Sequence, residues 1–137
     1  MREQDRLPRC CAPAKVGHEG SVDADESWIS ATFVDDDTAE IRAVGGLGLE
    51  RAELLWDAIE HALTERPGCR VIVDLRFVVE FDGQSIRQLS LCAKTAARRH
   101  DDLRLVVDPR GLFGYYLTAI LSTYRRSIYL SLSQARD

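Results

Sequence analysis

The feature that most constrains this fold is the segment CRVIVDL at residues 69–75, where apolar and β-branched residues follow one another with little alternation. Such a run is typical of a strand that is buried on both faces, as the central strands of parallel sheets are. A second apolar run, LRLVV at residues 103–107, follows after a helical pattern. Strand, helix and strand with short connections predict a βαβ unit, with parallel strands and a right-handed crossover.

The segments before this unit predict two further strands and a helix. The strands are WISATFV at residues 28–34 and TAEIRAVG at residues 38–45, and an acidic turn at residues 35–37 separates them. Residues 45–48, Gly-Gly-Leu-Gly, predict a turn that leads into the helix. The apolar face of that helix follows spacings of three and four residues and comprises Leu55, Ala58, Ile59, Ala62 and Leu63.

The carboxyl-terminal half predicts a second amphipathic helix, a short third helix and a last strand. The apolar face of the second helix comprises Ile86, Leu89, Ala93, Ala96 and Ala97. Residues 112–121 predict the short helix, SIYLSL at residues 127–132 predicts the strand, and SQARD begins another helix. The order β-β-α-β-α-β-α-β predicts an α/β fold, with a small mixed β-sheet and packed helices.

Length and charge narrow the class of protein. The 137 residues fit one domain, with a flexible tail at residues 1–26 and a folded domain at residues 27–137. A net charge of −4 argues against a protein that binds nucleic acid. No window reaches the roughly 20 apolar residues that span a bilayer, and the first residues lack the apolar core of a secretory signal. These features predict a cytoplasmic protein without membrane insertion.

No residue pattern indicates catalysis, a metal or a cofactor. The three histidines stand apart from any nucleophile pattern, and the four cysteines lack metal-ligand spacing. Asp74 and Asp82 both follow apolar runs and could form an acid-base pair, but no nearby residue supplies a nucleophile. We therefore expect a protein that is not an enzyme and that needs neither metal nor cofactor.

The pattern from VIVDL onward resembles the STAS domain family, whose best-known members are bacterial anti-sigma factor antagonists. Members of that family show a strand ending in D-L-S/R, a short link with an apolar pair, and then D-S-S-G-L at the start of a helix. The three parts stand here in order as VDLR at residues 73–76, FVVEF at residues 77–81 and DGQSI at residues 82–86. The similarity extends over residues 28–135, including the turn at residues 45–48.

The resemblance implies a regulatory protein that binds an ATPase-type anti-sigma factor with serine-kinase activity and thereby regulates transcription. In the family, this kinase phosphorylates a serine at the start of the helix. Here Asp82 matches the family's aspartate and Gly83 its first serine, whereas Gln84 replaces the phosphoacceptor and Ser85 replaces the glycine. Gly48 stands where the family carries a further aspartate. These five residues form the predicted partner-binding site, its phosphorylation site is degenerate, and Ser85 is the remaining candidate phosphoacceptor.

Three alternatives remain open at this stage. Asp82 is a strong N-cap residue, so the junction could be a plain helix cap that also contacts a partner. The chain could be a STAS-type subunit that binds a nucleotide or lipid, because the glycine-rich residues 45–48 precede a helix near Asp82. It could also form a homodimer or join a larger assembly through aromatic residues near the carboxyl terminus, although core packing is the usual role of such residues. That aromatic set comprises Phe113, Tyr115, Tyr116, Tyr124 and Tyr129.

Overall fold

The computed structural model describes residues 27–122 and 127–137, so the predicted tail at residues 1–26 lies outside the described residues. The predicted order of strands and helices is confirmed, and a final helix follows it. The elements are β1 (Trp28–Asp35), β2 (Thr38–Leu47), α1 (Leu49–Glu65), β3 (Arg70–Phe81), α2 (Gly83–Arg99), β4 (Asp102–Val106), α3 (Leu112–Ile120), β5 (Ile128–Tyr129) and α4 (Leu132–Arg136).

The five strands form one mixed sheet in the order β1-β2-β3-β4-β5. β1 and β2 are antiparallel, as expected for a hairpin, and the Asp35 carboxylate accepts a hydrogen bond from the backbone N–H of Asp37 at 2.8 Å within the turn. β2, β3, β4 and β5 run parallel to their neighbours. The sheet therefore contains the predicted βαβ unit, formed by β3, α2 and β4.

Helices cover both faces of the central strand, which explains its unbroken apolar sequence. Val71, Val73 and Leu75 belong to the main core with α1, α2 and α3. Ile72 points to the opposite face, where it packs with Val106 and with Ala135 of α4. Every residue from 71 to 75 is buried, so a polar side chain in this stretch needs a hydrogen-bonding or charged partner, as Asp74 has.

The five-residue helix α4 is held on the sheet by guanidinium groups that satisfy its last carbonyls. The Arg70 guanidinium donates to the carbonyl oxygen of Arg136 at 2.6 Å, and the Arg104 guanidinium donates to that of Ala135 at 2.9 Å. Carbonyls at a helix C-terminus have no partner within the helix, so cations placed there stabilise the helix end. A helix this short depends on these tertiary contacts.

Three predicted segments have different boundaries in the structure. Residues 77–81 belong to β3 rather than to a link, and residues 45–47 belong to β2 rather than to a turn, because the two parallel strands continue to pair past register shifts. The last strand comprises only Ile128 and Tyr129, because the chain then turns to place Ser131 as the N-cap of α4. The face of α2 is confirmed except for Ala97, which is exposed near the helix end.

Among the helices in the described parts of the chain, none combines the length and the apolar character needed to cross a bilayer. The two longest, α1 and α2, have 17 residues each, and both carry charged residues along their solvent-facing sides.

Because α3 packs closely against the loop after β4, we expect a larger side chain at Gly114 of α3 to destabilise the fold. A β-carbon at Gly114 would overlap the carbonyl oxygen of Asp108, which is backbone and cannot move as a flexible side chain does. We expect Gly114→Ala to lower the free energy of unfolding by about 1–3 kcal/mol, measured by urea denaturation. Gly83→Ala is the matched control, since no atom lies within 4 Å of its added carbon. Equal stability of the two variants would contradict this packing.

Candidate functional site

A closed hydrogen-bonded cap forms the junction between β3 and α2. The Asp82 carboxylate accepts a hydrogen bond from the backbone N–H of Ser85 at 2.8 Å. The Ser85 hydroxyl oxygen in turn accepts from the backbone N–H of Asp82 at 3.2 Å, and the hydroxyl lies 2.9 Å from the Asp82 carbonyl oxygen, to which it can donate. These are the two reciprocal bonds of a capping box, so the N-cap interpretation of Asp82 is confirmed.

The cap divides the predicted site into an exposed part and a buried part. Asp82, Gly83 and Gln84 are exposed, whereas Ser85 is completely buried. A kinase needs an accessible hydroxyl, and the Ser85 hydroxyl is enclosed and engaged within the cap. The geometry therefore does not support Ser85 as a phosphoacceptor. Gln84, at the family's phosphoacceptor position, faces solvent but has no hydroxyl.

Gly48 lies beside this junction, as the resemblance to the STAS family implies. It is the N-cap of α1, and a β-carbon at that position would lie 3.5 Å from Asp82 Oδ2. The amino-terminal ends of α1 and α2 therefore both approach the Asp82 carboxylate, which complements their positive dipole ends. An aspartate at position 48 would bring a second carboxylate to the same place, and Gly48 leaves Asp82 without that like charge.

The outer face of α3 continues the exposed surface next to the junction. The ring of Phe81, the last residue of β3, lies 5.2 Å from that of Phe113 and 6.1 Å from that of Tyr116. Tyr115 and Tyr116 are 62% and 46% exposed, and no charged residue occurs from residue 111 to 122. We name as the α2–α3 surface Asp82, Gly83 and Gln84 together with the exposed α3 residues Leu112, Tyr115, Tyr116 and Ile120.

The expectation that the aromatic residues near the carboxyl terminus belong to the core is only partly correct. Phe113 is buried as expected, and Tyr129 is half-buried, but Tyr115 and Tyr116 point to solvent. Tyr124 lies outside the described residues. The signal that sequence reasoning missed is the absence of charged residues from this helix. A helix that buries only one face usually carries polar residues on the other face, and α3 lacks charged ones there.

Asp74 lies on the opposite face of the sheet, in an ion-pair cluster. Its buried carboxylate accepts hydrogen bonds from the Arg76 guanidinium at 2.9 and 2.8 Å and lies 3.2 Å from Nε of Arg42. Burial raises the pKa of Asp74, but the hydrogen bonds from Arg76 and the charges of Arg76 and Arg42 outweigh it, so the pKa lies below its usual range. Eight residues of strand, about 26 Å, separate Asp74 from Asp82, so the suggested acid-base pair is wrong.

The small-molecule alternative loses the feature that suggested it, because residues 45–47 form part of a strand. A groove of about 430 Å³ lies elsewhere and is lined by Arg76, Phe77, Asp108, Pro109, Arg110 and Leu130. Its two arginines are each paired with a carboxylate two residues away. Within the described ranges no three His, Cys, Asp or Glu side chains are grouped to hold a metal ion.

The described cysteines are structural. Cys69 and Cys92 are both buried, and burial raises the pKa of the Cys92 thiol to about 12. A thiol with so high a pKa is protonated at neutral pH and is a poor nucleophile or ligand. The pair Cys10 and Cys11 lies outside the described residues.

Neither a protein-family model nor a characterised relative matches this chain in sequence. An anti-sigma factor antagonist from Mycobacterium paratuberculosis has a similar structure, with a TM-score of 0.59 and 20% identity over 80% of this chain and 95% of that protein. An uncharacterised protein from Shewanella loihica with a SpoIIAA-like fold gives 0.56 and 13%, over 85% of this chain and 97% of that one.

A longer protein contains a similar structure in one part of its chain. The murine anion transporter solute carrier 26 family member A9 matches with a TM-score of 0.57 and 16% identity over 73% of this chain, which spans 17% of the transporter. Identities this low establish the fold alone. The chain therefore has the STAS-like fold that its sequence predicts.

The capping box predicts that substitutions at the adjacent residues Gln84 and Ser85 have very different effects on the free energy of unfolding. Ser85→Ala removes a buried hydroxyl and one bond of the box, and we expect it to lower the free energy of unfolding by about 1–2 kcal/mol. Gln84→Ala, one residue away but exposed, should change it by less than about 0.5 kcal/mol. Chemical denaturation of both variants measures this difference. A loss at Gln84 equal to that at Ser85 would contradict the cap.

The Asp74 cluster predicts a loss of stability in acid. Because the pKa of Asp74 is lower in the folded than in the unfolded state, its carboxylate stabilises the fold above about pH 4, and this contribution disappears as pH falls through the folded-state pKa. Asp74→Asn should lower the free energy of unfolding at pH 7 by about 1–3 kcal/mol, since it leaves two partly exposed arginines without their anion. It should also flatten the decline in stability below pH 4.

Urea denaturation between pH 2.5 and pH 7 measures both effects of Asp74→Asn. Asp108→Asn is the matched control, because Arg110 lowers the pKa of that carboxylate too, but at an exposed site. The interpretation fails if the control flattens the acid decline as strongly as Asp74→Asn does.

Proposed function

We propose that this chain is a non-enzymatic cytoplasmic regulator that binds an ATPase-type anti-sigma factor through the α2–α3 surface. The observation that carries the proposal is the continuity between the exposed turn at Asp82, Gly83 and Gln84 and the uncharged aromatic face of α3. Exposed apolar surface of this kind marks sites of protein association. The similarity in fold to an anti-sigma factor antagonist supports the class of partner.

The two parts of the α2–α3 surface are suited to different contributions to binding. Tyrosines are enriched among the residues that dominate protein interfaces, since each adds a large rigid contact area together with a hydroxyl. Tyr115 and Tyr116 pack edge to face with ring centroids 5.4 Å apart, so their side chains are already ordered before a partner binds. The turn at Asp82 to Gln84 supplies polar groups beside them, and Gly48 leaves space next to Asp82.

We further propose that binding is constitutive, because the junction holds no phosphorylatable group that a kinase can reach. Gln84 is neutral, as an unphosphorylated serine is, so it resembles the binding-competent form permanently. A phosphate at this position would add a dianion at the docking surface and oppose association through repulsion and desolvation. The buried Ser85 remains a structural residue of the helix cap.

Binding of the purified chain to ATPase-type anti-sigma factors from the same cell, measured by calorimetry, tests the docking proposal. Tyr116→Ala and Gln84→Arg should each weaken binding by about tenfold or more, equivalent to about 1.4 kcal/mol. Glu53→Lys on the exposed side of α1 is the matched control and should leave the affinity unchanged. The proposal is overturned if no such factor binds, or if the control weakens binding as much as Tyr116→Ala.

A phosphorylation assay in the same system separates docking from switching. Incubation with the bound factor and ATP should leave the intact mass of the chain unchanged. Gln84→Ser should then gain one phosphate, because it restores an exposed hydroxyl and keeps the bond between Asp82 and Ser85. A stoichiometric adduct on the unaltered chain would refute constitutive binding without affecting the docking surface itself.

A further inference from the structure

The outer edge of the sheet at β1 is long and has few of the features that usually protect such edges. Among residues 27–122 and 127–137, β1 pairs with β2 alone, so its other side carries backbone N–H and C=O groups that no described strand satisfies. The opposite edge, β5, has only two residues, and short edge strands resist further pairing. β1 has eight residues.

The sequence of β1 lacks charged residues and proline where an edge strand would ordinarily carry them. Residues 28–34 read WISATFV, and the only charge is Asp35 at the end of the strand. Soluble proteins place lysine, proline or an inward-pointing charge on exposed edges to prevent strand addition. One irregularity interrupts the ladder between Phe33 and Asp35, which leaves the stretch from Ile29 to Phe33 regular.

We propose that β1 pairs with β1 of a second copy of this chain, antiparallel across a two-fold axis at Ala31. Side chains that face each other in an antiparallel pair must lie on the same face of the sheet, so only every second register is allowed. With the axis at Ala31, Ile29 lies opposite Phe33 and Ser30 opposite Thr32. The result is a continuous ten-stranded sheet with an isologous interface.

The register with its axis at Ala31 pairs side chains more favourably than the registers with axes at Ser30 or Thr32 do. It places Ile29 beside an aromatic ring, which is a favourable cross-strand pair, and it places two hydroxyl residues opposite each other on the other face. Moving the axis to Thr32 sets Ile29 opposite the charged Asp35, whereas moving it to Ser30 sets Ile29 opposite Ala31 and shortens the ladder. In the Ala31 register Asp35 faces Ser27, so no like charges meet.

The helices in the described part of the chain pack mainly away from β1. α1 packs on β2 and β3, and the main contact of β1 is with β2. The Arg66 guanidinium lies 4.0 Å from the centroid of the Phe33 ring and donates to the Asp35 carbonyl oxygen at 3.0 Å, two and four residues from the axis at Ala31. The α2–α3 surface begins at the end of β3, two strands away, so a dimer would present two such surfaces at once.

Sedimentation and light scattering of the full chain over a wide concentration range test the dimer directly. The unaltered chain should show a dimer mass at high micromolar concentration. Ser30→Lys with Thr32→Lys places lysines opposite lysines on the helix-free part of the sheet and should weaken the dimer by about tenfold or more. Ser30→Glu with Thr32→Lys places opposite charges face to face in the same register and should retain it.

Two further variants test whether β1 itself forms the interface. Leu112→Lys on α3 should leave the dimer intact, and a dimer lost through this change would assign the interface to the α2–α3 surface instead. Ala31→Cys, combined with Cys10→Ser and Cys11→Ser, should form an intermolecular disulfide on oxidation, because residues paired on the axis lie about 5 Å apart between Cα atoms. This arm decides the question if the double lysine variant does not fold.

Three results would overturn the proposal. They are a strict monomer at several hundred micromolar, a dimer unaffected by the double lysine variant, and a monomer that dimerises only after residues 1–26 are removed, which would assign the edge to the chain's own amino-terminal segment. None of these measurements involves an anti-sigma factor, so failure here is independent of the proposed function.

Discussion

Burial of β3 on both faces is the constraint on which the rest of this structure depends. α1, α2 and α3 cover one face, and α4 with its arginine contacts covers part of the other. Because β3 is central, β2 and β4 must run beside it, and the connections between parallel strands must be helices. The same strand ends at Phe81, so Asp82 lies at the carboxyl-terminal end of the central strand, next to Gly48 and α3.

At the junction after β3, the residues that stabilise the helix start are separate from the residues that are exposed for binding. The hydrogen bonds of Asp82 and Ser85 are directed at each other, so the cap satisfies the backbone N–H groups of both residues without a ligand. Gln84 and Gly83 take no part in the cap and face solvent. A protein that binds through this turn can therefore vary the exposed positions, including the phosphoacceptor position, without losing the helix start. That independence makes a fixed, unswitched binding surface physically compatible with the fold.

Local sequence patterns predicted much of the architecture but missed the features that depend on neighbours. The two-sided apolar run, the 3.6-residue periodicity and the N-cap residue each act over a few positions, and each predicted its element correctly. The glycines at residues 45–47 favour a turn by intrinsic preference, yet parallel pairing with β3 holds them in a strand. Tyr115 and Tyr116 are aromatic and suggested core, yet no described element lies over their side of α3.

The sequence by itself determined the order of the elements, the central position of β3 and the absence of a hydroxyl at Gln84. These follow from residue identity and from short-range periodicity, which do not depend on the rest of the chain. Only the tertiary structure decided that Ser85 is buried, that Gly48 meets Asp82, and that the aromatic face of α3 continues the junction. Each of these facts joins residues that lie on different elements or depends on what covers a side chain. Burial and proximity of this kind are set by packing, and a linear pattern contains no measure of them.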